Sequence, residues 1–349
     1  MFENTTESFG KPWKYRYDLI NKDISNDWRE ELSLPISLTY FQAANINNKI
    51  FIMGGYNNKE YTTNVYSYKI NENGTLIECK SEIPLPNGKS YAETLLIKNK
   101  LYLIGGRNTN NTNEYYYNSD TLIGTINDKG NIEEWNRSLS LFGNLYGTHT
   151  IGIKDRIFII GGSYTTDVLA HISALILDKD GIIKNHYYYA GRLFEIVANG
   201  QIIAFKDKIH LLGGYKLENV YYNHINFIQS SSIDDNGDIK HWTRKEILPI
   251  ELAHFQAIII GNKVFILGGL DNNRNTHSTI YMSIINEDGT LSEFIEYSYL
   301  PEPLYDFETI VTDNRLYIIG GINRNNEISN KISINNRKIS NKIYSTAII

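Results

Sequence analysis

Residues 49–55 read Lys49-Ile50-Phe51-Ile52-Met53-Gly54-Gly55, and five more stretches repeat them. These are Lys100-LYLI-Gly105-Gly106, Arg156-IFII-Gly161-Gly162, Lys208-IHLL-Gly213-Gly214, Lys263-VFIL-Gly268-Gly269 and Arg315-LYII-Gly320-Gly321. The doublets are 51, 56, 52, 55 and 52 residues apart, and a near-constant period marks a repeat architecture. Each apolar run is short, continuous and rich in β-branched and aromatic residues, the pattern of a strand buried on both faces. A basic residue opens each run after a turn such as Lys98-Asn99, Lys154-Asp155 or Asp313-Asn314, which joins it to a preceding strand as a hairpin.

A second landmark follows. Asn73-Gly74, Lys129-Gly130, Asp180-Gly181, Asn236-Gly237 and Asp288-Gly289 each lie four residues after Ile or Leu, and five residues later come Cys79, Trp135, His186, Trp242 or Phe294. Near the N-terminus, Asp23 stands in the glycine slot with Trp28 five residues on. Glycine supplies positive φ at such a turn, so this is a further strand–turn–strand. Leu34-Pro35, Leu85-Pro86, Leu248-Pro249 and Leu300-Pro301 end the fourth strand in most repeats. A lone four-stranded sheet cannot bury both faces, whereas sheets arranged radially pack on their neighbours. The expectation is an all-β, six-bladed propeller of four-stranded antiparallel blades over 24–349, with 1–23 as an N-terminal extension.

The doublets, the Val65-Tyr66, Ile280-Tyr281 and Ile343-Tyr344 pairs, and the aromatic about thirteen residues later resemble the kelch motif. The Asn/Asp-Gly turn followed by Trp is similar to a bacterial and phage branch of the galactose-oxidase-like kelch propellers. The resemblance covers nearly the whole chain. It departs most in the third and fourth repeats, where His186 replaces Trp and no Leu-Pro follows Gly191.

The tail from Ile343 to Ile349 matches Ile280 to Ile285, so it reads as a third strand that stops before its turn. The strand completing the last blade is then the N-terminal segment 24–30, which would close the ring and remove an open edge. A competing reading completes the blade at its C-terminus, because Ile328-Ser-Asn-Lys-Ile332 recurs as Ile339-Ser-Asn-Lys-Ile343. N-terminal closure is favoured.

In the family's topology, the first strand lines a central channel, and the loops entering it share a face with the loops between strands 2 and 3. Twelve residues before each doublet stand Gln42, Glu93, His149, Gln201, Gln256 and Glu308, all polar. In register they form a ring at the channel mouth: either a polar ligand site, or groups that satisfy each other and channel water. Just before the ring come Tyr40, Tyr91, Tyr146 and Tyr305, with Phe41, His254, Phe255 and Phe307. Aromatics around polar groups suit a sugar, while Phe41, Phe255 and Phe307 read as blade packing. The second 2–3 loop carries Tyr115-Tyr116-Tyr117, a contact surface or a covered strand edge. Trp28, Trp135 and Trp242 are read as structural, like the doublets.

Composition removes several classes. The 349 residues are 42% hydrophobic and 21% charged, with net charge −5, so no basic excess exists to displace nucleic-acid counterions. No apolar run approaches the ~20 residues of a bilayer-spanning helix, and the start, Met1-Phe2-Glu3-Asn4, is polar, so no secretory signal is visible. One cysteine, Cys79, allows no internal disulfide or thiolate cluster, and it sits in the strand-4 aromatic slot. There is no phosphate-cradling Gly-x-x-x-x-Gly-Lys motif and no His-Glu-x-x-His. Asp234-x-Asn236-x-Asp238 alternates like a calcium loop, but Ile239 stands where glycine is needed. No cofactor or metal is expected.

The leading expectation is a non-enzymatic module that binds a glycan or protein through the 2–3 and 4–1 loop face, as a phage or cell-surface receptor-binding protein would. The alternative is a carbohydrate-active enzyme, because six-bladed kelch propellers include a sialic-acid epimerase; Glu93, His149 and Glu308 are its only candidate machinery. An intracellular adaptor ranks third.

Overall fold

The computed structural model describes residues 21–109, 115–117, 120–141, 145–164, 167–218, 221–324 and 338–349. Residues 1–20, most of the expected N-terminal extension, lie outside these. Six four-stranded antiparallel sheets form the blades of a propeller. Blade 1 runs through Gln42–Ile46, Lys49–Met53, Val65–Ile70 and Leu76–Ser81. Blade 2 comprises Glu93–Ile97, Lys100–Ile104, Asp120–Ile126 and Ile132–Ser140. Blade 3 comprises His149–Ile153, Arg156–Ile160, His171–Leu177 and Ile183–Arg192. Blade 4 comprises Gln201–Phe205, Lys208–Leu212, Phe227–Ser232 and Thr243–Ile247, and blade 5 Gln256–Ile260, Lys263–Leu267, Thr279–Ile284 and Ile295–Tyr299. No helix occurs among the described residues.

Blade 6 holds Glu308–Val311, Arg315–Ile319 and Ile343–Ala347, and its outer strand is Arg29–Glu30. Arg29 pairs with Ser345 and Glu30 with Tyr344; Ile24 bridges Ile348, and the Asp23 amide donates to the Ile349 carbonyl. The N-terminal strand therefore closes the ring. Ile339 pairs instead with Ile322 in the 2–3 connection, which removes the competing C-terminal closure.

The second strands are buried on both faces, as their composition requires. Hydrophobic clusters join neighbouring blades rather than filling any one blade. Ile50, Ile52 and Tyr68 of blade 1, for example, pack with Tyr317, Ile319 and Ile343 of blade 6.

The doublets sit at these junctions. The second glycine's amide donates to a carbonyl of the next blade every time: Gly55 to Lys89, Gly106 to Leu145, Gly162 to Val197, Gly214 to Leu252, Gly269 to Leu304 and Gly321 to Leu38. A Cβ on Gly54 would stand 2.2 Å from the Lys89 carbonyl oxygen, so the missing side chain is what permits the approach.

The outer turns dock in the same sense. The Tyr317 hydroxyl of blade 6 donates to the Gly74 carbonyl of blade 1 at 2.6 Å, and Tyr102 of blade 2 does the same to Gly181 of blade 3. Trp28 and Trp135 donate from Nε1 to the carbonyls of Tyr299 and Ile83 in the preceding blades, at 3.1 and 3.2 Å; Trp242 is buried. Asp234 closes its turn by accepting the Asn236 and Asp238 amides, with Lys240 on its second oxygen. This is the hairpin turn expected there.

Candidate functional site

Every first strand begins on one of the six ring residues, Gln42, Glu93, His149, Gln201, Gln256 and Glu308, and all six line one cavity of about 80 Å³ at the channel mouth. All except His149 also line a larger cavity of about 880 Å³ towards the opposite face, with Thr94, Thr309, Asn45 and Asp313. These five residues are the waist between mouth and channel.

The ring is partly self-satisfied. Thr94 Oγ1 donates to Gln42 Oε1 at 2.8 Å, and Gln42 Nε2 reaches the Phe41 carbonyl at 2.9 Å and Glu308 Oε1 at 3.4 Å. One blade junction further round, Thr309 Oγ1 donates to Gln256 Oε1 and Gln256 Nε2 to the Phe307 carbonyl. The carboxyls are different. Burial pushes Glu93 up to about 8, with the Thr150 backbone opposing part of the rise. Glu308 lies well above the ordinary carboxylate range, from burial first and then from the neighbouring Glu93 and Asp306 charges. Burial also pushes the His149 imidazole down to about 3, and its Nε2 is buried without a partner. At neutral pH the throat therefore holds protonated carboxyls beside an uncharged imidazole.

Two positions before each ring residue stand Tyr40, Tyr91, Gly147, Asn199, His254 and Asp306, all with φ between 51° and 59°. This turns their peptides along the circumference of the mouth. Tyr91 donates its amide to the Tyr40 carbonyl, Asn199 to Gly147, His254 to Asn199 and Asp306 to His254, at 3.0–3.1 Å. At the closing junction the Thr39 hydroxyl donates to the Asp306 carbonyl at 3.0 Å. Among the described residues, hydrogen bonds thus link blade to blade around the mouth at five of the six junctions, the exception lying between Tyr91 and Gly147. Sequence reading missed this belt, because no single residue type runs through its members.

The four expected tyrosines divide by one position of register. Tyr40 and Tyr91 belong to the belt, line the mouth and stack with centroids 3.9 Å apart. Tyr146 and Tyr305 lie one residue earlier and are buried, because their backbones pair with Ser163 and Ile322 in the 2–3 loops. Comparable bridges join Thr39 to Tyr56, Ser90 to Arg107, Ala198 to Tyr215 and Ala253 to Leu270, so both sets of loops do form one face. Phe41, Phe255 and Phe307 are buried between blades. Tyr115–Tyr117 form a strand paired with Arg107–Thr109; their side chains lie outside the described residues.

Around the rim, Arg107 places its guanidinium carbon 3.9 Å from the Tyr146 ring centre and 5.0 Å from Tyr91. Across the mouth, His254 Nδ1 and Asp306 Oδ1 are 2.7 Å apart, and His254 stacks near Tyr215 and meets Tyr305 edge-on. His224, beside His254, is pushed down to about 4, chiefly by burial and then by its neighbour. Among the described residues, no group of three or more His, Cys, Asp or Glu is arranged to hold a metal ion. Cys79 is half-buried and its thiol is pushed up by burial, which suits its place in the packing of blade 1.

Residues 37–73 match the family model of the Kelch motif. The match runs from the loop entering blade 1 through its third strand to the following turn. Among similar proteins, Kelch-like protein terF of Aspergillus terreus is 23% identical over 295 residues, covering 80% of this chain and 60% of that protein. Beta-scruin of Limulus polyphemus is 26% identical over 191 residues, covering 54% of this chain and 19% of that protein. Kelch-like protein 25 of Xenopus tropicalis is 21% identical over 259 residues, covering 73% and 40%. The chain spans at most 60% of the length of these relatives. A kelch motif on a six-bladed propeller is thus common ground between sequence and structure.

Proposed function

We propose that this chain is a non-enzymatic binding propeller, with residues 24–349 as its domain, that docks a segment of a protein partner on the face made by the 4–1 and 2–3 loops. One observation carries this reading. On the loop face the mouth narrows to about 80 Å³, short of the ~300 Å³ usual for a small-molecule pocket, the larger cavity of about 880 Å³ lying towards the opposite face, while aromatic and cationic groups spread across the rim around the mouth. Such a face grips a ligand along its surface rather than enclosing it. Kelch proteins typically bind protein partners, which supports the same reading.

The test is selection of random peptides on the full chain, followed by rim variants. Tyr222 is exposed and meets Tyr215 edge-on at the rim. Arg107→Glu and Tyr222→Ala should each weaken a selected peptide about tenfold; affinities unmoved by either variant would count against the loop face.

Three finer readings have their own arms. Glycan recognition predicts glycan-array binding that is lost in Tyr40→Ala and Tyr91→Ala. A place in the bacterial or phage galactose-oxidase-like branch, with a receptor-binding role, rests on the Asn236-Gly237 turn before Trp242 and the Lys129-Gly130 turn before Trp135; the relatives above come from a fungus, a horseshoe crab and a frog. The epimerase alternative predicts faster sialic-acid anomerisation by NMR, slowed to the uncatalysed rate in Glu93→Gln, His149→Ala and Glu308→Gln.

A further inference from the structure

The centre of the loop face has a chemistry of its own. The mouth cavity is lined by Glu93, Asp306 and Glu308, and no lysine or arginine is among its lining residues. Its two histidines do not compensate. His254 is already bonded to Asp306, and His149 is held uncharged by burial. Two carboxyls, Glu93 and Glu308, thus share a throat in which no lysine or arginine meets them, and burial raises both above the ordinary carboxylate range, with the neighbouring Glu93 and Asp306 charges adding to the rise at Glu308.

An independent feature points the same way. His149 is only 3% exposed, lines the mouth cavity, and leaves Nε2 without a hydrogen-bond partner. A buried polar atom left unpaired is costly, and native structures rarely keep one without a reason. With its proton on Nδ1, Nε2 is an acceptor waiting for a donor. Above it, Tyr40 and Tyr91 line the entrance, and aromatic rings accept both an alkyl stem and a cation.

We propose that the throat receives the ammonium group of a lysine side chain presented by the protein partner. This rests on the loop face being a protein-docking surface and names what that surface reads at its centre. A volume of about 80 Å³ holds a few water molecules, at ~30 Å³ each, or one ammonium with the end of its stem. The ammonium is compact and carries three donors, whereas the guanidinium fork is planar and wider. Glu93, Glu308 and His149 Nε2 supply acceptors, and the stacked Tyr40–Tyr91 pair stands to one side of the stem. Insertion of the ammonium releases one carboxyl proton to solvent, so an ion pair replaces a desolvated acid while the second carboxyl stays neutral and hydrogen-bonds the ammonium.

The experiment uses the full chain and peptides selected from a random library. The expected result is a lysine required in the selected peptides. Replacing it with norleucine or Nε-acetyl-lysine should weaken binding to the wild-type protein about tenfold or more. The same loss should appear for the original peptide against Glu93→Gln/Glu308→Gln, whose folding is checked by thermal melting. The peptide arm does not depend on that variant folding. Peptides that need no lysine but are weakened by Arg107→Glu or Tyr222→Ala overturn the lysine throat and leave the docking face standing. A required lysine indifferent to both Glu93 and Glu308 also overturns it. Peptides insensitive to every loop-face change, or no selected peptide at all, overturn both.

Discussion

The amide of Tyr91 donates to the carbonyl of Tyr40 at 3.0 Å, across the junction of blades 1 and 2. Both residues hold left-handed backbone, at φ 54° and 56°, and the same geometry recurs at Gly147, where φ is 59°. A Cβ there would meet the Asn199 side chain at 2.7 Å. Gly147→Ala should therefore lose about 1–2 kcal/mol, from the left-handed backbone and the displaced amide. Urea unfolding checks this, and an unchanged midpoint would argue against a belt that needs this conformation.

A larger loss is expected at Gly54. Its added methyl would lie 2.2 Å from a backbone oxygen of the next blade, which no side-chain motion relieves. Gly54→Ala should lose about 3 kcal/mol or more, on the scale of a strained, overpacked junction. A loss near that of an ordinary surface change would refute the close-approach account.

Ring closure depends on Glu31. Its carboxylate accepts Arg29 Nε at 2.6 Å, Ser345 Oγ at 2.5 Å and the Leu76 amide at 3.0 Å, tying the N-terminal strand to blades 6 and 1 together. Glu31→Ala leaves buried donors unpaired and should lose about 2–3 kcal/mol. Hydrogen exchange should speed up at Tyr344 and Ser345 while blade 3 stays protected. Equal acceleration in both places would mean that Glu31 acts globally.

The throat carboxyls imply a pH signature. Glu93 is raised to about 8 in the folded chain, against ~4.3 unfolded. Between these values the native state binds the extra proton, so stability is greatest at acid pH and is lost as pH rises towards 8. His149, pushed down to about 3, acts the other way: it removes stability as pH falls below ~6.5. Melting temperatures of Glu93→Gln relative to wild type should therefore gain as pH goes from 5 to 8. A difference that stays flat with pH would contradict a desolvated Glu93.

The repeat, the buried second strands and the six ring positions were legible in the sequence because each depends on local properties. Apolar runs bury themselves wherever blades stack, Gly-Gly marks a close approach by what it lacks, and a fixed offset from the doublet lands on Gln42, Glu93, His149, Gln201, Gln256 and Glu308. The match of Ile343-Tyr344 to Ile280-Tyr281 likewise pointed to closure by the N-terminal strand.

What only the tertiary structure decided lies between blades. Tyr40, Tyr91, Gly147, Asn199, His254 and Asp306 share a backbone conformation without sharing one side-chain chemistry, and backbone hydrogen bonds across most blade junctions accompany it. The same pairing separates Tyr40 and Tyr91, which face the channel, from Tyr146 and Tyr305, which are buried one register position away. The partners of Glu31 lie at Leu76 and Ser345, remote in the chain. The protonated throat, too, is a product of burial and of charges brought together from different blades, which no stretch of sequence carries alone.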